Sequence, residues 1–333
     1  MLTELRRAWK HRRCFHPAAP NGCSGQAIGA HSIPRAGVLG SVIGNDGHVL
    51  TFNTKHMRHG DTGPWAVGWK QASTFTGFCS AHDHATFRPL DEGEFSGTPE
   101  QTFLVGYRAL CLEIHDKIGM VRATRHVGDL AARDGDLRPM AEVFDLLQEG
   151  AQAGLSDQLA LKKEMDHDLL ERRFGRWPRC VLWFRGSPVV VVAAGIAPNY
   201  DLDHKPLQVL HDRDEAPIEG LLLGTAVGGD TVAAVMTWRP GDIAPHRFVA
   251  SLLARPPARI PSMWLQLAFA YAGNTYFRRD WWTRLKPTHQ RHLETLAMNA
   301  NPYYSELRWI AARLVEGELV GSQREPQGSR PEV

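Results

Sequence analysis

Two widely separated pairs of thiol and imidazole side chains constrain the fold of this chain most. Cys14 and Cys23 form the first pair, with the spacing Cys-x8-Cys, and Cys79 and His82 form the second, with the spacing Cys-x2-His. Zinc prefers these two ligand types, and a structural zinc site takes four of them in a tetrahedron. If the four bind one ion, the N-terminal quarter folds as one module around it. The alternatives are thiols packed singly in small cores, or a site in which His16 replaces one ligand.

The N-terminal quarter is also the basic part of the chain. Residues 1–90 hold ten lysines and arginines against four aspartates and glutamates, whereas the whole chain has a formal net charge of only +2. A basic module on a near-neutral body is suited to contact phosphate backbones, so nucleic acid is the expected partner. The alternative is a solvated basic face without a ligand.

Cysteine usage and hydropathy limit the class of protein. Five cysteines, an odd number spread over 333 residues, argue against a secreted disulfide framework and for a reducing compartment. The basic N-terminus is not followed by an apolar run of signal-peptide length, and no stretch approaches the roughly eighteen apolar residues of a membrane helix. We therefore expect a cytoplasmic protein without a membrane partner.

Hydrophobic patterning predicts an α+β fold in which a small N-terminal module over residues 1–95 precedes a larger domain. That domain has a helical region over 96–178 and an α+β region with an antiparallel sheet over 179–318, followed by a disordered tail over 319–333. Gly44-Asn45-Asp46-Gly47 predicts a hairpin between strands 38–43 and 48–52, with a loop over 54–68, and Gly228-Gly229-Asp230 predicts a second hairpin. Helices are predicted over 100–120, 139–149, 155–173 and 261–316.

The order of the N-terminal motifs resembles the ββα-metal, treble-clef fold of HNH-type endonucleases. In that family a cysteine knuckle leads into a strand that ends in a histidine. A hairpin follows, and then a helix that opens with the second ligand pair and a further histidine or asparagine. Here His31-Ser32-Ile33-Pro34 keeps the offset from histidine to proline, and Cys79-Ser80-Ala81-His82-Asp83-His84 corresponds to the helix start. The resemblance covers roughly residues 10–90, about a quarter of the chain.

The resemblance implies a metal-dependent nuclease that hydrolyses the phosphodiester backbone of nucleic acid. Carried over residue by residue, His31 is the general base that activates water, and Asp83, with His84 beside it, holds a catalytic Mg²⁺ or Mn²⁺. A carboxylate suits these oxygen-preferring ions, and an imidazole titrates near neutral pH. A structural Zn²⁺ is held by Cys14, Cys23, Cys79 and His82. A bacterial defence system or a mobile element would be a suitable context for such a fusion.

The chain also departs from the family pattern. The first ligand pair is spaced x8 rather than x2, the second ends in histidine rather than cysteine, and Ala30 stands where an acidic metal ligand often precedes the catalytic histidine. The alternative is therefore a zinc-binding module that recognises nucleic acid or protein without cutting it. His31 is then a core histidine or a zinc ligand, and Asp83 is a carboxylate favoured by the helix dipole.

Two later segments carry residues of further interest. Asp201, Asp203 and His204 lie in an acidic loop and are the basis of a third hypothesis, in which an enzymatic site lies in the C-terminal domain; the alternative is an ordinary solvent loop. The segment from Tyr276 to Trp282 interleaves aromatic side chains with arginines. It fits either base stacking or a core with a basic rim.

Overall fold

A computed structural model of the chain describes residues 9–35, 37–56, 63–133, 138–209, 217–298 and 318–324. The chain separates into two compact units whose segments alternate along the sequence. The first unit comprises residues 1–30, 75–85 and 110–172, and the second comprises 31–74, 86–109 and 173–333. The domain boundaries predicted at residues 95, 178 and 318 stay a prediction.

The predicted α+β class is confirmed, because helices accompany antiparallel strands throughout the described residues. Among these residues there are seven α-helices: α1 (Ser80–Asp91), α2 (Pro99–Arg133), α3 (Arg138–Leu170), α4 (Ala244–Leu253), α5 (Ile260–Tyr271), α6 (Arg279–Arg284) and α7 (Pro287–Met298). The ten strands are β1 (Ile28–His31), β2 (His48–Thr51), β3 (Trp65–Gly68), β4 (Thr74–Phe78), β5 (Arg179–Arg185), β6 (Val190–Ile196), β7 (Leu221–Gly228), β8 (Thr231–Trp238), β9 (Thr275–Phe277) and β10 (Leu319–Arg324).

An eight-stranded antiparallel sheet forms the centre of the second unit, with the strand order β10-β5-β8-β7-β6-β9-β2-β3. Its middle strands are buried on both faces. Met236 and Trp238 of β8 pack in the core that includes α4 and α5. Their neighbours Ala233 and Val235 pack instead with Val105 of α2. This period-two alternation is that of a strand covered on both sides, which explains why β7 and β8 read as continuous apolar runs.

The hairpin predicted around Gly229 is confirmed. Gly228 pairs with Thr231 across the end of β7 and β8, so Gly229 and Asp230 form a two-residue turn. Gly229 has a φ of +56°, the left-handed conformation that such turns require and that glycine adopts without steric cost.

The other predicted hairpin was wrong in its first strand. Leu39–Val42 form a 3₁₀ helix, in which the N–H groups of Ser41 and Ile43 bond to the carbonyls of Val38 and Gly40, three residues earlier. The partners of β2 are β3 and β9, so part of the predicted loop over 54–68 is a strand. A short apolar run has the same composition in a strand and in a helical turn, and tertiary pairing decides between them.

Three further expectations differ from the structure. The helices predicted over 139–149 and 155–173 are the single helix α3. The helical region predicted over 261–316 is interrupted by β9, which pairs with β2 and β6, and residues 299–317 lie outside the described residues. The first part of the predicted disordered tail forms β10 on the edge of the sheet beside β5, while residues 325–333 lie outside the described residues.

The first unit contains the N-terminal segment, a two-stranded sheet of β1 and β4, the start of α1 and most of the helical pair α2 and α3. Helix α2 anchors the N-terminal segment. The ring of His115 stacks on that of His11 at 4.1 Å between centroids, and Nε2 of His11 lies 2.9 Å from the carbonyl oxygen of His115. No described helix has both the length and the apolar character needed to cross a membrane.

Candidate metal centre

Strand β4 and helix α1 place the second ligand pair. Cys79 is the residue between the end of β4 and the start of α1, and it is fully buried. His82 follows in the first turn of α1 and is only 8% exposed. Residues three apart on a helix share one face, so the thiol and the imidazole point to one side of the helix start.

Backbone pairing brings Cys14 to the same place. The N–H of Arg13 donates to the carbonyl of Thr76 at 3.1 Å, and the N–H of Phe15 donates to the carbonyl of Gly77 at 2.8 Å. Residues 13–15 therefore lie beside β4. Cys14, between the two bonded residues, lies next to the strand that leads into Cys79.

A tight turn returns the chain so that Cys23 joins the group. The N–H of Ala19 donates to the carbonyl of His16, and the N–H of Cys23 donates to that of Pro20. Gly22 adopts a φ of +71°, which favours glycine, and a Cβ there would lie 3.3 Å from Nε2 of His82, a tight contact. Ser24 then fixes the turn to α1, since its Oγ accepts the N–H of Ala81 at 3.0 Å.

The four predicted ligands form one group that can hold a metal ion. The ligand atoms of Cys14, Cys23, Cys79 and His82 all lie within 4.8 Å of one another, and no other such group of three or more histidine, cysteine or acidic residues occurs in the described part of the chain. The Nδ1 atom of His82 is 3.4 Å from Sγ of Cys14, 3.5 Å from Sγ of Cys23 and 3.4 Å from Sγ of Cys79.

These distances match tetrahedral coordination better than hydrogen bonding. One Nδ1 carries at most one proton, so it cannot bond three sulfurs at once. With the usual Zn–S and Zn–N lengths, a tetrahedral angle separates sulfur from nitrogen by about 3.6 Å. The residues present therefore fit a structural metal ion such as zinc, bound by three sulfurs and one Nδ1.

The thiols of Cys79 and Cys23 differ in their acidity. Burial raises the pKa of Cys79, but hydrogen bonds from His82 and Ser24 outweigh burial and lower it to about 6. Burial, together with hydrogen bonds to Cys79 and Cys14, raises the pKa of Cys23 to about 11. One thiolate is thus stabilised by backbone N–H groups, and a bound cation would favour the thiolate form of the others.

His16, the alternative ligand in the sequence, does not belong to the group. Its ring instead stacks on that of His82, with centroids 4.0 Å apart and planes 11° apart. This contact covers one face of the His82 imidazole. It was missed in the sequence, because a stacking partner has no spacing signature.

His31 ends β1 and lies in the second unit. Nε2 of His31 is buried and has no hydrogen-bond partner among the described residues. Burial lowers the pKa of His31 to about 4, with further lowering by the charges of Arg35 and Arg108 against the opposing effect of Asp91. The imidazole is neutral at physiological pH.

The residue after His31 is fixed by a buried polar network. The Oγ atoms of Ser32 and Ser73 are 2.6 Å apart, and Nδ2 of Asn274 donates to Oγ of Ser32 at 3.0 Å. Tyr276 completes the network, since its hydroxyl accepts the N–H of Ser73 at 2.7 Å. These partners come from distant parts of the sequence and could not be predicted from local pattern.

Asp83 and His84 lie in the first turn of α1, in the first unit, directly after the candidate metal ligand His82. Asp83 is half-buried and His84 is exposed. Asp83 occupies the helix N-terminus, where the dipole favours a carboxylate. The catalytic roles of His31, Asp83 and His84 stay predictions.

Neither of the later segments forms a metal or stacking site. Oδ1 of Asp201 accepts the N–H groups of Asp203 and Lys205, and Asp203 pairs with Arg255, so this loop is held by its own side chains. Trp281 and Trp282 are 6% and 7% exposed and pack in an aromatic core. Burial removes their faces from any nucleic acid base.

In comparisons with known proteins, no family model, no curated protein and no solved structure matches the chain.

Proposed function

We propose that this chain is a metal-dependent phosphodiester hydrolase of nucleic acid, similar to HNH-type nucleases, in which the Cys₃His group holds a structural zinc ion. The order of elements supports the resemblance. A cysteine-bearing turn precedes β1, β1 pairs with β4, and α1 follows with the second ligand pair at its start. His31 stands at the end of β1, where the family carries its general base.

The state of the His31 imidazole is the observation that carries the proposal. Hydrolysis of a phosphodiester needs a group that takes a proton from water. The pKa of His31 is lowered to about 4, so the imidazole is neutral at physiological pH, and Nε2 has no hydrogen-bond partner among the described residues. A neutral imidazole has one unprotonated ring nitrogen, which is what a general base requires.

The catalytic metal is assigned by the family pattern. Asp83, with His84 beside it, would hold Mg²⁺ or Mn²⁺, which would stabilise the charge that develops on the phosphate and the leaving oxygen. A carboxylate oxygen is the ligand type that these ions prefer. Without the divalent ion we expect no cleavage, whereas the structural zinc would remain in place.

The second candidate is a zinc-stabilised module that recognises nucleic acid without cutting it. Two observations favour it. Nε2 of His31 is shielded from solvent, so water reaches it only if the surrounding segment opens. Ala30 occupies the position where an acidic ligand would complete the catalytic metal site.

A plasmid-nicking assay separates the two candidates. Purified chain, His31→Ala and Asp83→Asn are compared in Mg²⁺ and in Mn²⁺. His48→Ala is the matched control, because His48 is also a histidine of the N-terminal quarter and its side chain is 45% exposed. The hydrolase predicts nicking by wild type and the control, and loss of at least about 100-fold in His31→Ala, the size of a general-base contribution. Equal nicking by wild type and His31→Ala would remove His31 from the mechanism, and binding without nicking would favour the recognition module.

A further inference from the structure

A groove of about 820 Å³ lies in the first unit, between the N-terminal segment and helix α3. One wall is formed by residues 12–27, which include the candidate metal ligands Cys14 and Cys23. The other wall comes from Leu159, Lys162, Lys163 and Asp166 of α3. This volume lies within the range of about 300–1,000 Å³ found for ligand sites.

The charge of the groove is strongly positive. Arg12 and Arg13 line it from the N-terminal segment, and Lys162 and Lys163 line it from α3, against the single carboxylate of Asp166. Arg12, Arg13 and Lys163 are exposed, whereas Lys162 is buried with its Nζ 2.7 Å from both carboxylate oxygens of Asp166. Because Lys162 and Asp166 neutralise each other, the net positive charge of the groove comes from the three exposed cations, two on the N-terminal wall and one on α3.

We propose that this groove binds the phosphodiester backbone of nucleic acid, an inference that rests on the proposed function for its class of ligand. Cations on two facing walls can contact successive phosphates of a chain that lies between them. Each such contact releases a condensed counterion, and this release favours binding. Helix α3 lies outside the N-terminal quarter that resembles HNH nucleases. Through Lys163, α3 would therefore take part in nucleic-acid binding, which the resemblance alone does not imply.

The N-terminal wall of the groove contains two of the four candidate metal ligands, Cys14 and Cys23. Cys14 directly follows Arg13, and the backbone N–H of Arg13 is bonded to β4. One of the groove's arginines is thus fixed to β4 directly beside a candidate metal ligand.

The test is binding without cleavage. The zinc-loaded full chain is titrated into fluorescein-labelled single-stranded DNA, duplex DNA and RNA oligonucleotides, in buffer free of Mg²⁺ and Mn²⁺, at several salt concentrations. The variant Arg12→Gln/Lys163→Gln removes one exposed cation from each wall. Arg125→Gln is the matched control, because Arg125 is exposed on α2 of the same unit but does not line the groove.

We expect the double variant to bind at least about tenfold more weakly at low salt, with the slope of log K against log salt reduced by about one to two. Arg125→Gln should bind within about twofold of wild type. Zinc content and circular dichroism confirm that the variants fold, and Lys163→Glu alone, remote from the metal ligands in sequence, serves as a second variant with the same expected direction.

The outcomes are distinguishable from those of the hydrolase proposal. Loss of binding in the groove variants without nicking by wild type would support the groove and refute the hydrolase. Unchanged binding in both groove variants would overturn the groove, even if nicking depends on His31. Failure of wild type to bind any of the three oligonucleotides would also overturn it.

Discussion

The Nδ1 atom of His82 lies 3.4 Å from the Sγ atom of Cys79, three residues earlier in the chain. The sulfurs of Cys14 and Cys23 lie at nearly the same distance from that nitrogen. Three sulfurs around one nitrogen at these distances can bind a common cation. The local spacing Cys-x2-His at a helix start thus becomes half of a candidate metal site that a distant turn completes.

Gly22 gives a first prediction. Gly22→Ala should destabilise the first unit by about 1–2 kcal/mol, because an L-residue pays roughly this much in the left-handed region. The new Cβ would also press on Nε2 of His82 at 3.3 Å, so metal affinity should fall. Thermal unfolding and competition with a zinc chelator measure the two effects.

The control for Gly22→Ala is Gly150→Ala in the same unit. Gly150 lies within α3, and a Cβ there would meet nothing within 4 Å. Alanine is favoured over glycine in a helix by about 1 kcal/mol, so this variant should be neutral or more stable. Equal stability and equal metal affinity for the two variants would contradict the role given to Gly22.

Asn274 gives a second prediction. Its Nδ2 donates to Oγ of Ser32 and to the carbonyl of Ala193, and the residue is 5% exposed. Asn274→Ala removes the donor from these two buried acceptors, so it should lower the free energy of unfolding by about 2–3 kcal/mol. The control is Asn53→Ala, which removes an exposed hydrogen bond from the N–H of Lys55. It should lower the free energy of unfolding by about 1 kcal/mol or less. Urea denaturation measures the free energy of unfolding of both variants. Similar losses in the two would show that the hydrogen-bond network around Ser32 does not hold the segment after β1.

The sequence predicted the parts of this protein that depend on local chemistry. Cys79 and His82 are three residues apart on one helix face, and Gly229-Asp230 closes a hairpin without help from elsewhere. The position of β10 beside β5, the stacking of His16 on His82 and the approach of Lys163 to the N-terminal segment are non-local. Sequence periodicity does not predict these contacts, because they form between surfaces of elements that are distant in the sequence. The short run Leu39–Val42 shows a related limit, since an apolar run of this length fits a strand or a helical turn, and it forms a 3₁₀ helix.

The pKa of His31 predicts the pH dependence of the proposed cleavage. A general base acts only when it is deprotonated, and the pKa of His31 is lowered to about 4. The value of kcat/KM should therefore stay constant as the pH falls from 7 to about 5, and it should decline below that. An acid limb centred near the ordinary histidine value of 6.5 would contradict His31, in its described environment, as the base.

The same shift predicts how stability depends on pH. The folded pKa of about 4 lies below the unfolded value of 6.5, so the unfolded chain binds more protons between these values. The stabilisation is fully present above pH 6.5, is lost as the pH falls towards 4, and changes no further below that. As the pH falls from 6.5 to 4, the free energy of unfolding of His31→Gln should decrease less than that of wild type. The control His48→Gln, at an exposed histidine, should follow wild type, and parallel curves for all three proteins would count against the buried, neutral state of His31.

Zinc content of the purified full chain tests the central claim most directly. Wild type, Cys79→Ser and the control Cys180→Ser, a buried cysteine outside the metal group, are expressed with zinc and analysed by mass spectrometry of the metal after gel filtration. We predict one zinc ion per chain for wild type and for Cys180→Ser, and loss of most of it for Cys79→Ser. A wild-type protein without zinc, or a Cys79→Ser variant that keeps it, would contradict the account.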